Sequence, residues 1–242
     1  MKRYPNGIAA EFFFQKEVAT SFPAWLRKEM ADGIRHVIGE DRATLLFLVN
    51  LGCIDHNPWM SRIGSLEQPD YVLIDLDPNH CPFSKIVEAA LLVRAKLDRA
   101  GLESFPKTTG GDGMHIFVPL ESGYTYEQVR SFAKLISILV IQDRPDLFTT
   151  PRSVAKREKG RVYFDWEQIA EGKTNSAPYV VRAYSGAPVA TPRSTERSHA
   201  APRPRTIQHL ERDDSLRSRR RSLCEGPDEH QSLEKALEKL SR

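Results

Sequence analysis

Two carboxylates close one apolar run of the chain, Tyr71-Val72-Leu73-Ile74-Asp75-Leu76-Asp77-Pro78. Side chains of a strand alternate between its two faces, so Asp75 and Asp77 share one face while Leu76 points to the other. Two like charges this close repel each other, and a divalent cation such as Mg²⁺ or Mn²⁺ would offset the repulsion. The alternative is a strand that runs out into solvent, with Pro78 marking a turn. The run therefore predicts a buried strand, and it is compatible both with a cation site and with a solvent-exposed end at the two aspartates.

A glycine-rich loop, Thr108-Thr109-Gly110-Gly111-Asp112-Gly113-Met114-His115, precedes the apolar residues 116–118. Three glycines let the backbone bend tightly and present bare N–H groups to phosphate oxygens, and Thr109 and His115 could add donors. A hairpin turn is the simpler interpretation of such a loop. The loop also lacks the Gly-Lys-Ser/Thr of a P-loop. Its interpretation as a phosphate loop therefore depends on the neighbouring metal-binding strand.

A third carboxylate, Asp165, lies in a second apolar run, Arg161-Val162-Tyr163-Phe164-Asp165-Trp166. Two-metal phosphoryl transfer uses about three carboxylates around two ions ~4 Å apart. One ion activates the attacking oxygen and the other holds the triphosphate. Asp75, Asp77 and Asp165 are therefore predicted to be the catalytic, metal-ligating residues of such a site.

With these motifs in place, the chain resembles the polymerase domain of bacterial DNA ligase D, a member of the archaeo-eukaryotic primase superfamily. The resemblance covers most of residues 2–192, in the family's order. Its further motifs are Arg3-Tyr4-Pro5-Asn6-Gly7, Phe13-Phe14-Gln15-Lys16 and residues 51–59, 177–183 and 186–192. It implies an α/β (α+β) primase-polymerase-like catalytic domain, with a central mixed or antiparallel β-sheet flanked by helices.

The resemblance also implies roles for single residues. Asp75, Asp77 and Asp165 match the family's ligands of two Mn²⁺ or Mg²⁺ ions. The positions that match contacts to the incoming nucleoside triphosphate are Lys2, Phe14, His56, Thr109, His115 and Arg182. Phe14 and His56 also have a simpler structural interpretation, because a Phe within Phe-Phe-Phe usually packs in the core and a lone His usually makes a structural hydrogen bond. A lone arginine among apolar residues, as at position 182, needs a partner or a path to solvent.

The activity that the resemblance implies is nucleotidyl transfer, with NTPs or dNTPs, to gapped or overhanging DNA ends during non-homologous end joining. The implied partners are a separate DNA ligase and a Ku-type end-binding protein, in the bacterial cytoplasm at the nucleoid. One alternative is a catalytically impaired remnant or a DNA-end-binding accessory protein. Another is a haloacid-dehalogenase-like phosphatase, but Asn79 stands where that class has Thr or Val, and Asp165 and Arg182 stay unexplained.

Three departures from the family pattern bear on activity. The family has some tens of residues before the Arg-Tyr-Pro-Asn-Gly motif, and they carry a pocket for the 5′-phosphate of the DNA end. Here Met1 stands almost at the motif, so little discrimination between phosphorylated and unphosphorylated ends is expected. Asp112 replaces the usual Lys or Arg of the glycine loop, and Ile169 replaces the usual Asn.

The formal net charge of +3 is unevenly distributed over the 242 residues. The catalytic domain, residues 1–192, is neutral, residues 193–221 carry +5 and residues 222–242 carry −2. Residues 193–221 contain nine Arg and too few apolar side chains to bury a face, which predicts disorder. Either the reading frame of the gene slips there, or the segment is a basic tail that binds nucleic acid. Residues 222–242 are predicted to hold a short carboxy-terminal helix.

Cysteine usage and local periodicity complete the prediction. Three cysteines without a Cys-x-x-Cys pair favour a reduced cytoplasmic protein and argue against a zinc ribbon. No apolar stretch is long enough to span a membrane. Apolar spacing predicts helices from about Phe83 to Gly101 and around residues 129–140, whereas residues 45–51 fit a helix or a strand. Strands are predicted at residues 71–76, 114–118, 161–166 and 179–183.

Overall fold

The computed structural model describes residues 1–193 and 231–241 of the chain. These residues form nine strands and four α-helices. The strands are β1 (Lys2–Arg3), β2 (Phe13–Phe14), β3 (Lys28–Ala31), β4 (Ile34–Val37), β5 (Tyr71–Asn79), β6 (Phe105–Thr108), β7 (Met114–Pro119), β8 (Phe148–Thr149) and β9 (Arg161–Asp165). The helices are α1 (Arg42–Asn50), α2 (Phe83–Ala100), α3 (Tyr126–Asp143) and α4 (Leu233–Leu240).

Five strands form one mixed sheet in the order β6-β7-β5-β9-β8. Strand β5 lies at its centre and pairs antiparallel with β7 and β9, whereas β8 pairs parallel with β9. Alternate residues of β5, Val72, Ile74 and Leu76, are fully buried in the core that also contains α2 and α3. Because strand side chains alternate, Asp75 and Asp77 lie on the opposite face. The architecture is the mixed α+β fold that the resemblance implies.

The two long helices form where the apolar spacing predicts them. On α2 the residues at helical spacing are buried, among them Ile86, Val93 and Leu97, and the helix ends at Gly101 in the left-handed conformation (φ 73°). Helix α3 begins with a capping box, in which the Thr125 hydroxyl accepts from the Gln128 N–H and the Gln128 side chain accepts from the Thr125 N–H. Both helices pack their apolar faces on the sheet.

Residues before the sheet form smaller units. The run at 45–51, which fits a helix or a strand by sequence, belongs to α1, whose first turn is capped by the Asp41 carboxylate accepting from the Thr44 N–H. Strands β1 and β2 pair with each other, and so do β3 and β4. A small separate cluster of Val18, Phe22 and Leu26 supports this part of the chain.

The predicted strand at residues 179–183 is wrong. Tyr179 has a φ of +63°, which an extended strand cannot accommodate, and Val181 makes only an isolated bridge to Val189. The segment instead folds back on itself, with the Tyr179 N–H donating to the Ala190 carbonyl. It lies over the acidic side of the sheet, where Ser176 accepts a hydrogen bond from the β6 residue Lys107.

Most of the predicted Arg-rich segment, 194–221, lies outside the described residues. Within 222–242, the described part contains α4, which begins after Ser232 and buries Leu233 and Ala236 in the main core. The Gln231 side chain donates to the Pro119 carbonyl at 2.8 Å and thereby ties this helix to β7. Among the described residues, no helix has the length and apolarity needed to cross a membrane.

Candidate active site

Four titratable side chains form one row across the sheet. In the register of the strands, Lys107 on β6 is opposite His115 on β7, His115 is opposite Asp75 on β5, and Asp75 is opposite Asp165 on β9. Directly opposed residues of antiparallel strands point to the same face. The pairing therefore brings together carboxylates that are 90 positions apart in the sequence and sets a histidine and a lysine beside them.

Asp77 lies on the same face as Asp75, one pleat further along β5. Burial is the main reason that the pKa of Asp77 is raised to about 7, and the charges of Asp75 and Asp165 raise it further, while Arg157 lowers it. The pKa of Asp165 is also raised, chiefly by burial and then by Asp75. Both shifts indicate a crowded group of carboxylates that resist carrying full charge together.

The three carboxylates suit a divalent cation in their chemistry more than in their arrangement. Asp165 Oδ1 is buried and has no hydrogen-bond partner in the described residues, and Asp75 Oδ1 is buried with His115 Nε2, at 3.3 Å, as its one neighbouring ring nitrogen. Buried oxygens without donors, on hard carboxylate ligands, suit Mg²⁺ or Mn²⁺. Within residues 1–193 and 231–241, however, no three His, Cys, Asp or Glu side chains already enclose a point where an ion would fit. The carboxylates therefore fit a cation as hard oxygen ligands with buried oxygens that lack good hydrogen-bond donors, but the described residues do not by themselves enclose an ion position.

His115 borders this acidic group. Its Nε2 lies 3.3 Å from Asp75 Oδ1, while its Nδ1 is buried without a hydrogen-bond partner among the described residues. Burial is the main reason that the pKa of His115 is lowered, and the positive charges of Lys107 and Arg182 lower it further against the opposing effect of Asp75. The environment therefore favours a neutral ring that still has hydrogen-bonding capacity.

The glycine loop packs tightly against both sides of the site. Gly110 has a φ of +76°, and a Cβ there would lie 2.5 Å from Arg182 Cγ. A Cβ on Gly113 would lie 2.8 Å from Asp77 Oδ1 and 2.8 Å from the Leu76 carbonyl oxygen. The glycines at these two positions are therefore required by close approach, one to the arginine and one to the acidic strand.

Thr109 holds the loop together from inside. Its hydroxyl oxygen accepts from the Gly111 N–H at 3.2 Å and from the Gly113 N–H at 3.3 Å, and the hydroxyl can donate to the Gly113 carbonyl. The expectation that the loop presents bare N–H groups is therefore wrong for these two glycines, because a hydroxyl of the loop itself satisfies them. Asp112, at the tip, is exposed to solvent.

Arg182 is fixed by two partners. Its Nε lies 3.2 Å from each oxygen of the buried Asp55 carboxylate, and its Nη1 donates to the Thr109 carbonyl at 2.8 Å. Asp55 also accepts from the Asn57 side chain at 2.9 Å. The arginine thus has the carboxylate partner that a guanidinium among apolar residues needs, and it links that carboxylate to the glycine loop.

Lys2 and Phe14 lie opposite each other in the β1–β2 pair. Lys2 also bridges to Asp55 through the backbone, which attaches β1 to the Arg182 side of the site, and its Nζ lies 4.0 Å from the centre of the Phe12 ring. Phe14 is 72% exposed, so the core position usual for a Phe within such a run does not apply here. An exposed ring beside a lysine suits stacking on a base.

His56 is mostly buried beside the same segment. Its Nδ1 lies 3.7 Å from Cys53 Sγ, and its Nε2 has no hydrogen-bond partner in the described part of the chain. Burial lowers the pKa of His56, which favours the neutral ring. Its backbone carbonyl accepts from the Ala177 N–H, so it also joins residues 55–58 to the segment that carries Arg182.

Sequence reasoning missed two residues of this site, Asp55 and Lys107. The signal for Lys107 was present, because Lys107 and His115 are equally far from Gly111 and must pair if the loop joins two strands as a hairpin. No local signal could have found Asp55 as the partner of Arg182, since 127 positions separate them.

The family described as "LigD, primase-polymerase domain" matches residues 1–219. The bifunctional non-homologous end joining protein LigD of Bacillus subtilis is 35% identical over 192 residues, which cover 78% of this chain and 31% of that protein. The multifunctional non-homologous end joining protein LigD of Pseudomonas aeruginosa is 34% identical over 195 residues, which cover 78% of this chain and 23% of that protein.

The matched part of the chain thus spans 31% and 23% of the length of these two curated relatives. Among solved structures, it is similar to the polymerase domain from Mycobacterium tuberculosis ligase D in complex with DNA. The two share 28% sequence identity with a TM-score of 0.77, over 90% of this chain and 82% of that one. Sequence and fold therefore agree on the same group of proteins.

Proposed function

The chain belongs to the family of LigD primase-polymerase domains, and from this premise we propose that it is a metal-dependent nucleotidyltransferase. Its proposed reaction adds ribonucleotides or deoxyribonucleotides to gapped or overhanging DNA ends during non-homologous end joining. The observation that carries the proposal is the row of Lys107, His115, Asp75 and Asp165 across neighbouring strands, bordered by a glycine loop and by Arg182.

The chain's own residues would bind and orient the nucleotide. Arg182, already aligned by Asp55 and the Thr109 carbonyl, offers the charge of a guanidinium to phosphate oxygens. His115, neutral in its buried position, has ring nitrogens for a hydrogen bond to the triphosphate. Lys2 adds a second cation on the Arg182 side. These groups are positioned before any substrate arrives, which lowers the entropic cost of orienting the reacting phosphate.

Asp75, Asp77 and Asp165 would supply the carboxylate ligands of Mn²⁺ or Mg²⁺. When bound, such cations activate the attacking primer hydroxyl and neutralise charge on the triphosphate. In the absence of a cation, burial first and the charges of Asp75 and Asp165 second raise the pKa of Asp77, and a bound cation would offset both effects.

The DNA end would approach from the β1–β2 side. Phe12, Phe13 and Phe14 are all substantially exposed there, beside Lys2 and Arg3. Exposed aromatic rings interleaved with cations bind unpaired bases and their phosphates without sequence preference. The similarity to a polymerase domain in complex with DNA supports the proposal that the chain binds DNA.

Incorporation of a labelled nucleotide into a primed, gapped DNA duplex tests the proposal. NTPs and dNTPs should be compared with Mn²⁺ and with Mg²⁺, and products should grow by single nucleotides from the primer end. An Asp165→Asn variant controls for contaminating polymerase. DNA binding without incorporation under all four conditions would overturn the catalytic proposal and favour a DNA-end-binding accessory role.

The proposal extends to partners, on the ground that the curated relatives carry non-homologous end joining in their names. A Ku-type end-binding protein should increase incorporation at a double-strand end more than at a continuous primed template. A DNA ligase activity should seal the extended product. Equal incorporation with and without the Ku-type protein would remove it from the proposed partners.

A further inference from the structure

Lys107 is the most deeply buried cation of the described chain. The side chain is fully buried, at 0% exposure, on the edge strand β6 and on the same sheet face as His115 and Asp75. Its Nζ donates to the Ser176 hydroxyl at 2.9 Å and lies 3.5 Å from the Thr108 carbonyl. Within residues 1–193 and 231–241, no carboxylate oxygen lies within the 4.0 Å that would make an ion pair with it. Its direct partners are therefore neutral.

Such a cation is costly to the folded protein. Burying an ammonium without a counter-ion loses its hydration and gains little in return. Burial and the nearby Arg182 together lower the pKa of Lys107 to about 7, against the opposing effect of Asp75. Arg182, by contrast, has Asp55 as its partner. If Lys107 served only to join β6 to residue 176, an uncharged donor would do so at lower cost.

The contacts of Lys107 indicate where an anion would compensate its charge. Its Nζ approaches the Thr108 carbonyl, while Arg182 donates to the next carbonyl of the chain, that of Thr109. The two cations therefore approach consecutive backbone carbonyls at the start of the glycine loop. His115 is the direct cross-strand neighbour of Lys107 and separates it from Asp75. Two strand spacings of ~4.8 Å separate Lys107 from Asp75 in this register, so the lysine lies about 10 Å across the sheet from the carboxylates proposed to hold the cations of the triphosphate.

We infer that Lys107 is a positioning residue whose buried charge holds the triphosphate of the incoming nucleotide above the glycine loop without touching it. The inference rests on the proposed function, because it assigns an anion only if the site binds nucleotides. Charge acting across protein interior at this distance is weakened but not abolished, because water is excluded from the space between. The contribution of Lys107 should therefore grow with the negative charge of the ligand.

Binding to nucleotides of increasing charge tests this inference. ATP, ADP, AMP and adenosine should be titrated by calorimetry in Mg²⁺, without DNA, into the wild-type protein and Lys107→Met. We expect Lys107→Met to weaken ATP about tenfold or more and AMP about two- to threefold, with adenosine unchanged; tenfold corresponds to about 1.4 kcal/mol. Lys96→Met, which removes the same charge from α2 behind the sheet, is the matched control and should bind all four as the wild type does.

Two further variants separate charge from structure. Lys107→Gln keeps a donor for Ser176 and loses the charge, so it should resemble Lys107→Met. Ser176→Ala keeps the charge and loses the hydrogen bond, so it should preserve the preference for ATP over AMP. Thermal unfolding should show Lys107→Met to be at least as stable as the wild type, because an apolar side chain replaces a buried unpaired charge.

The outcomes are distinguishable. A wild-type protein that binds none of the nucleotides would refute the proposed function itself. If the wild type binds ATP and Lys107→Met binds it equally well, only the inference about Lys107 is wrong. Equal weakening of all ligands in Lys107→Met, or failure of both Lys107 variants to fold, would also overturn it, because either result is that of a structural lysine.

Discussion

The two halves of the candidate active site, namely the carboxylates on β5 and β9 and the Arg182–Asp55 pair beside the glycine loop, differ in how their charges are satisfied. On the β5–β9 half, Asp165 leaves a buried oxygen without a hydrogen-bond partner in the described chain, the buried Asp75 Oδ1 has only a long 3.3 Å contact to His115 Nε2, and burial and the neighbouring carboxylates raise the pKa of Asp77 to about 7. On the loop half, Arg182 has partners at both its Nε and its Nη1. The acidic half thus carries an unfavourable charge distribution that a ligand would correct, whereas the arginine is already fixed.

This difference makes opposite predictions for stability. Removing a charge from the acidic half relieves repulsion and should stabilise the free protein. Removing a charge from the Arg182 pair leaves its partner buried and alone, and should destabilise it. Loss of nucleotide incorporation is expected in both cases, so the sign of the stability change distinguishes the two halves.

The largest effect is expected from the carboxylates. Asp77→Asn should lower nucleotide incorporation by about 10³-fold or more, because it removes a ligand of the proposed cations. It should also raise the unfolding free energy without divalent cations by about 1–2 kcal/mol, a Tm increase of roughly 2–8 °C. Single-turnover incorporation and thermal unfolding measure the two changes.

Asp98→Asn, an exposed carboxylate of α2 paired with Arg94, is the matched control for Asp77→Asn and should change neither quantity. Addition of Mn²⁺ should stabilise the wild type more than Asp77→Asn. A lower Tm for Asp77→Asn would show that its carboxylate is structurally satisfied and that the two halves do not differ in the way described.

The next largest effect is expected from Asp55→Asn. It leaves the Arg182 guanidinium without its carboxylate, so we expect a loss of about 2–4 kcal/mol in unfolding free energy and a KM for the nucleoside triphosphate raised about 30-fold. The kcat should fall less, because the carboxylates are untouched. Denaturant unfolding and steady-state kinetics measure these changes.

A double-mutant cycle with Arg182→Gln isolates the pair. The two substitutions together should cost clearly less than the sum of the single ones, since either alone breaks the same contact. Additive effects would show that Asp55 acts on the site by some route other than Arg182.

A smaller effect, a loss of incorporation of about tenfold, is expected from Gly113→Ala. This substitution tests the contact between the glycine loop and strand β5. Its Cβ would lie 2.8 Å from Asp77 Oδ1 and from the Leu76 carbonyl, so the loop must move away from β5. We expect a stability loss of about 1–3 kcal/mol. Gly39→Ala, where a Cβ would have no neighbour within 4 Å, is the control. Unchanged kinetics in Gly113→Ala would show that the loop and the acidic strand act independently.

Local patterns predicted what local forces determine. The spacing of Ile86, Val93 and Leu97 predicts α2 because helix amphipathicity repeats every few residues, and Gly101 predicts its end. The apolar run at 179–183 misled, because segments that lie over a face are apolar whether or not they pair as strands. The Asp55–Arg182 pair and the Asp75–Asp165 register depend on contacts between distant segments, which composition and periodicity do not encode.

The smallest effect is expected from Asp112→Lys, at the tip of the glycine loop. Asp112 is exposed, so water and salt screen its charge from a bound triphosphate. Reversing the charge should therefore tighten nucleotide binding by only about 0.5–1 kcal/mol, or two- to fivefold, and the gain should shrink as salt is raised. Titration of ATP at low and high ionic strength measures both. A gain that persists at high salt would mean that the side chain at position 112 contacts the phosphates directly. The charges of the loop would then be satisfied by the bound nucleotide, just as the charges of the carboxylates are proposed to be satisfied by bound cations.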